Sequence, residues 1–346
     1  MISLDESKNI IIAIAKWGGA LVVGILLLIG AYRGGRYLMS VFFPKTPAAP
    51  KVAFGKLPPV LFPQNTSNQQ FTYRIDTVSG NLGSFADRVI INKIAPPIPN
   101  LLNLQTTRNL LQTTSFRLDE TPLTDTVYSW GDTFRPDKKI TYNIVSGDFS
   151  ITSNYFSYAD LLTVPPVNQS DAIETAVNFL TNLNLHPLDL DEEGTSSQLL
   201  SMQGSNIFAA TSPSTAQLVR VDFFQKDVNK LPVVYPHPPY STMHFLLGGS
   251  RTSEIVDAIF SHQVVSQENT TYPIKNVSQA FDLLKKNKAY IAGYFGTQTE
   301  IRIKDIYLAY YLGEEKQQYL MPVYVFSGKD GFTAYVPAVS DTWMLK

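Results

Sequence analysis

Asn276-Val-Ser-Gln-Ala-Phe-Asp-Leu-Leu284, then Ile301-Arg-Ile-Lys-Asp-Ile-Tyr-Leu-Ala-Tyr-Tyr311 and Tyr319-Leu-Met-Pro-Val-Tyr-Val-Phe326, is the order of pieces that decides the fold. In the first piece Val277, Ala280, Phe281 and Leu284 fall at i, i+3, i+4 and i+7, one face of a helix. Asn276 with Gln279 forms a capping-box pattern at its start. The two later pieces are β-branched and aromatic, with apolar residues at nearly every second position, and read as strands. Together they predict a helix followed by antiparallel strands.

The same order occurs once upstream. Ser170-Asp-Ala-Ile-Glu-Thr-Ala-Val-Asn-Phe-Leu180 opens with a capping serine and early acids and places Ala172, Ile173, Ala176, Val177 and Leu180 on one face. Leu218-Val-Arg-Val-Asp-Phe-Phe224 follows as a strand. Before it, Thr72–Val78 and Ile140–Val145 alternate, Ser146-Gly147-Asp148 reads as a tight turn, and a short helix is expected around Leu104–Thr114. This first region is either a diverged third copy of the unit or an independent β-rich segment.

Ile10 to Tyr32 is a run of 23 residues with Lys16 as its one charge, long enough at about 1.5 Å per residue to span about 30 Å of hydrocarbon. The expected class is therefore α+β: one N-terminal transmembrane helix followed by two or three helix-on-antiparallel-sheet units. The expected divisions are a cytoplasmic tail over 1–9, the anchor over 10–32, a Pro-rich juxtamembrane spacer over 33–70, and units over 71–164, 165–265 and 266–346. Arg33, Arg36 and Lys45 outnumber Lys8 and Lys16 across the run, which taken alone places the large domain inside. The lack of cysteine points the other way. The expectation is a single-pass protein of the cell membrane with its large C-terminal domain extracytoplasmic.

Composition excludes several classes of function. The 346 residues are 44% hydrophobic and 16% charged, enough apolar material for a sizeable core. Residues 1–51 carry a net +4, and the remainder holds 22 basic against 27 acidic residues. An acidic body argues against nucleic acid as a partner. With no cysteine, disulfides, thiolate zinc sites and cysteine nucleophiles are excluded.

His186, His237, His244 and His262 form no HExxH and no i, i+4 pair. Asp189-Leu-Asp-Glu-Glu-Gly194 begins like a calcium loop but has Leu200 where the bidentate Glu belongs, and reads as a solvated acidic turn. GxSxG, GxxxxGK[ST] and GxGxxG are absent. No catalytic, cofactor or metal residue is therefore assigned, and the protein is not expected to be an enzyme. The candidate partner-binding residues are Pro232, Tyr235, Pro236, Pro238, Pro239 and Tyr240. They belong to a proline-rich run, Leu231-Pro-Val-Val-Tyr-Pro-His-Pro-Pro-Tyr240, that reads either as an exposed docking loop or as an edge segment blunted by prolines.

The C-terminal pieces, from Tyr272-Pro-Ile-Lys through Gln279–Lys285, Ala289-Tyr-Ile291, the two strands and Phe332-Thr-Ala-Tyr-Val-Pro337, resemble the extracytoplasmic domains of the YycH/YycI type, themselves similar to PepSY and cystatin-like modules. The resemblance covers about 75 residues and is one of strand and helix order. It implies a membrane-anchored regulator of a sensor kinase in a two-component system and carries over no catalytic residue. The functional expectation is a bitopic envelope protein that binds a protein or peptide and regulates a membrane sensor or cell-wall process. The rivals are an anchored cell-wall hydrolase or transferase and a structural component of an envelope assembly.

Overall fold

The computed structural model describes residues 17–18, 21, 24–35, 49–65, 70–100, 103–163, 168–249 and 254–345. The chain divides into two compact units, Met1–Ala49 and Pro50–Lys346. The transmembrane expectation is corrected: among the described residues no helix is long and apolar enough to cross a membrane. The continuous helical stretch described in the first unit is 24–35, about 18 Å at 1.5 Å per residue. The expected tail over 1–9 and most of the expected span before residue 24 lie outside the described residues. A single-pass anchor, and the membrane localisation that rested on it, are accordingly not supported.

The class is corrected as well, to mostly β, with 36% strand against 20% helix among the described residues. Its first sheet is antiparallel and nine-stranded. The strands are β3 (Thr121–Pro122), β4 (Val127–Gly131), β5 (Lys139–Asn143), β6 (Phe149–Thr152), β7 (Ser196–Gln203), β8 (Asn206–Ala209), β9 (Leu218–Asp222), β11 (Met243–Gly248) and β12 (Glu254–Phe260), in the order 3-4-5-6-12-11-9-7-8. The stretch 121–152 supplies four strands and no helix, which is why β content outruns an α+β reading.

Helix α1 (Asn103–Leu111) matches the expected position, and α2 is the single turn and a half Ala159–Thr163. Helix α3 (Gln169–Asn182) is capped by Asn168, whose side chain accepts from the Asp171 N–H; the cap is therefore two residues upstream of the serine expected to supply it. Ala172, Ala176 and Leu180 of α3 pack on Val219, Val221, Met243, Phe245 and Phe149, while Leu200, Leu218 and Leu246 of the same sheet form a second buried cluster with Tyr158 and Leu161.

The second sheet runs β1 (Thr72–Ile75), β15 (Glu300–Tyr311), β16 (Met321–Gly328), β17 (Thr333–Pro337) and β14 (Tyr290–Gly293), with the two-residue β10 (Val233–Val234) also on β15. Helix α4 (Val277–Lys285) carries the capping box with both reciprocal bonds, Gln279 N–H to Asn276 Oδ1 at 2.8 Å and Asn276 N–H to Gln279 Oε1 at 3.0 Å. Its Val277, Ala280 and Leu284 cover one face, against Tyr324, Phe326 and Ala334. Phe62 lies on the other face, 5.3 Å from the Tyr290 ring and 4.8 Å from Tyr311. Residues 50–65 are therefore part of the fold rather than a spacer: Leu57 is fully buried, and the Asn65 side chain occupies the β14 edge by donating to the Ala289 carbonyl and accepting from the Ile291 N–H. A two-stranded ribbon of β2 (Arg88–Ile94) and β13 (Val265–Pro273) completes the body.

Candidate functional site

The 231–240 run lies along β15. Val233 and Val234 pair in parallel with Tyr310 and Tyr311, and the Tyr310 N–H donates to the Pro232 carbonyl at 2.8 Å. The Tyr335 hydroxyl donates to the Tyr235 carbonyl and the Tyr290 hydroxyl to the Pro236 carbonyl, each at 3.0 Å. Tyr235 is itself 3% exposed, its hydroxyl accepting from the Gln225 N–H, and burial pushes its pKa well above the ordinary phenol value. Of the six candidate residues, Pro232 and Tyr235 therefore serve to seat the loop. Pro236 is buried but lines a cavity, Pro238 is half-buried, and Pro239 and Tyr240 are exposed.

That cavity, about 400 Å³, joins the loop to the polar face of the nine-stranded sheet. Its wall includes Pro236, His237, Tyr240, Arg220, His244 and Glu314. The antiparallel register explains the grouping. Asp222 on β9 lies directly opposite His244 on β11, which lies opposite Ile259 on β12, and successive cross-strand partners share a face. Val219 and Val221, one residue out of phase with Arg220 and Asp222, point instead into the core under α3.

Arg220 grips Asp222 with two parallel bonds, Nε to Oδ2 at 2.6 Å and Nη2 to Oδ1 at 2.9 Å. Asp222, 3% exposed, also accepts from the Ser241 N–H at 2.9 Å. The guanidinium lies 4.2 Å from the centre of the Tyr240 ring, so the arginine is held from below by a carboxylate and covered by an aromatic platform. At the rim His237 Nε2 is 3.5 Å from Glu314 Oε1. His244 is lowered to about 4, first by burial and then by the Arg220 charge, with Asp222 and the Ser241 backbone opposing. It is neutral at physiological pH.

Two other clusters are fully engaged. Lys138, with its side chain 6% exposed, lies 3.0 Å from Asp132 and 2.8 Å from Glu254. Arg135 binds Glu254 and Asp160, each at 2.7 Å, and stacks on Tyr158. These bonds fasten the 132–138 turn to β12. The acidic turn at Asp189 is used internally: burial works to raise this carboxyl, but the His262 hydrogen bond at 2.8 Å, the His262 charge and the Gln225 amide hold it below its ordinary value. Among the described residues no group of three or more His, Asp or Glu could hold a metal.

The residues missed in the sequence are Arg220, Asp222 and His244. A signal was present in Leu218-Val-Arg-Val-Asp222: two opposite charges at i and i+2 in an apolar strand must share one face. Nothing local tied His244 to them. No protein-family model matches the chain, and no curated protein does.

Proposed function

We propose that residues 50–346 form a binding module whose partner is a protein or peptide segment, held in the groove between the 236–240 loop and the polar face of the nine-stranded sheet. One observation carries this reading. Pro236 and Tyr240, two of the residues singled out in the sequence, stand on a cavity whose opposite wall is the Arg220–Asp222–His244 set. An apolar, proline-lined wall facing a few fixed polar groups suits an extended chain, which presents side chains and backbone amides together. The helix-and-strand order that resembles regulatory domains also favours a protein partner over a free metabolite.

The test is selection of dodecapeptides from a random display library on the full chain. Selected peptides are expected to lose at least tenfold in affinity on Tyr240→Ala and to be unaffected by Phe208→Ala on the distant edge strand β8. Selected peptides indifferent to Tyr240→Ala, or none selected at all, would overturn the reading.

A further inference from the structure

His244 holds the most specific chemical information in the cavity. Its Nδ1 is enclosed and has no hydrogen-bond partner among the described residues, the ring lines the cavity, and the Ser241 backbone is the group beside it that favours a ring N–H. A neutral imidazole carries one N–H, and an enclosed donor without a partner costs more than an enclosed lone pair. The proton therefore belongs on Nε2, and the ring presents a donor to whatever occupies the cavity. Arg220 adds a second donor. Its Nε and Nη2 are taken by Asp222, and among the described residues nothing takes Nη1.

Two donors call for an oxygen acceptor, and the charges decide which kind. Arg220 is already matched by Asp222 behind it, and Glu314 stands at the rim. The carboxyl of Asp257, without an ion-pair partner among the described residues, lies two residues along β12 from Ile259 and is raised by burial, with Arg220 the charge that opposes this. A ligand carboxylate would enter a site where, among the described residues, acids already outnumber the fixed cation Arg220, whereas a neutral carbonyl meets no such penalty. Pro236, Tyr240 and Ile259 supply apolar wall beside the donors.

We infer that the cavity is an amide-reading subsite: His244 Nε2–H and Arg220 Nη1 donate to a backbone carbonyl of the bound chain, and Pro236, Tyr240 and Ile259 hold the adjoining apolar side chain. The inference rests on the peptide-binding reading above and names what that site recognises. It selects an internal stretch of chain, or a capped end, over a free C-terminal carboxylate.

The experiment uses the full chain with ¹⁵N-labelled histidine, its four imidazoles assigned with His244→Gln, at pH 7. The free protein is expected to show His244 as the Nε2–H tautomer. N-acetyl-leucine N-methylamide should shift the His244 Nε2 signal saturably and bind at least tenfold more tightly than N-acetyl-leucine, which differs in carrying the free carboxylate. Arg220→Lys should reduce that preference. A free-state Nδ1–H tautomer, equal or tighter binding of the acid, or no response to either probe would overturn the inference. If displayed peptides depend on Tyr240 while the amide leaves His244 unmoved, the subsite assignment alone falls. If no Tyr240-dependent peptide is found, the peptide-binding reading falls with it.

Discussion

The two sheets are built from similar residue types and treat their second faces differently. In the C-terminal sheet β16 reads Met321-Pro-Val-Tyr-Val-Phe326 with every residue buried, because α4 covers one face while Phe62 and Val234 cover the other. Tyrosine hydroxyls there are spent inside: Tyr324 donates to the Lys275 carbonyl at 2.8 Å, and Tyr335 to that of Tyr235. Among the described residues the Tyr311 hydroxyl is the exception, enclosed without a partner, but with both faces of that sheet covered no ligand can reach it. The nine-stranded sheet buries one face under α3, while the other is covered in part, where Tyr158 and Leu161 pack on Leu218 and Leu246, and beside that patch carries a row of cross-strand neighbours, Ser129, Thr141, Ser150, Ile259, His244 and Asp222. The partly covered sheet leaves polar atoms within reach, and the candidate cavity opens on it.

The contrast can be broken most directly by truncating the doubly covered sheet. Phe326→Ala should cost about 4 kcal/mol in urea unfolding, since it empties a site enclosed by α4 and the neighbouring strands. A loss below about 1 kcal/mol would mean that this face is not packed as described.

Next in size is acid sensitivity from the partly covered sheet. His244 is depressed in the folded protein from 6.5 to about 4, so the unfolded chain binds the extra proton first. Its contribution is present above pH 6.5 and is lost as pH falls from 6.5 toward 4, by on the order of 3 kcal/mol in all. Arg220 and Asp222 on β9, and Ile259 and Asp257 on β12, flank the ring. His244→Gln should flatten the stability profile over that window. An unchanged profile would place the acid sensitivity elsewhere.

A smaller effect sharpens the role of α4. Asn276→Ala removes the side-chain acceptor of its capping box and should cost about 1 kcal/mol in thermal or urea unfolding. The smallest effect is expected on the open part of the nine-stranded sheet's second face, where Thr141→Val should change stability by less than about 0.5 kcal/mol. A loss of several kcal/mol there would mean that this part is covered too.

The local signals were read well where a helix cap or a strict alternation carried them. Asn276 with Gln279 capped α4 as the pattern required, and Ile140–Asn143 of the expected Ile140–Val145 fell in β5, with Gly147 of the following turn in a left-handed conformation, φ 77°. The apolar run at residues 10–32 misled in the opposite way. Hydropathy alone measures how much a segment avoids water, and it promised a spanning helix that the described residues do not contain. The proline run was half legible. Its prolines placed it correctly outside a central strand, but Tyr235 turned inward once Val233 and Val234 paired with β15.

By itself the sequence determined where α4 starts, which residues alternate in β5, and that no cysteine chemistry is possible, because these depend on composition or on neighbours a few positions apart. The tertiary structure alone decided that Thr72–Ile75 pairs in parallel with Glu300–Ile303, that residues 50–65 close the second sheet, and that Arg220, Asp222, His244 and Tyr240 meet. Those outcomes depend on strand register between segments far apart in the chain. Register is selected by which apolar faces can be buried together, a property of the whole packed body rather than of any one stretch.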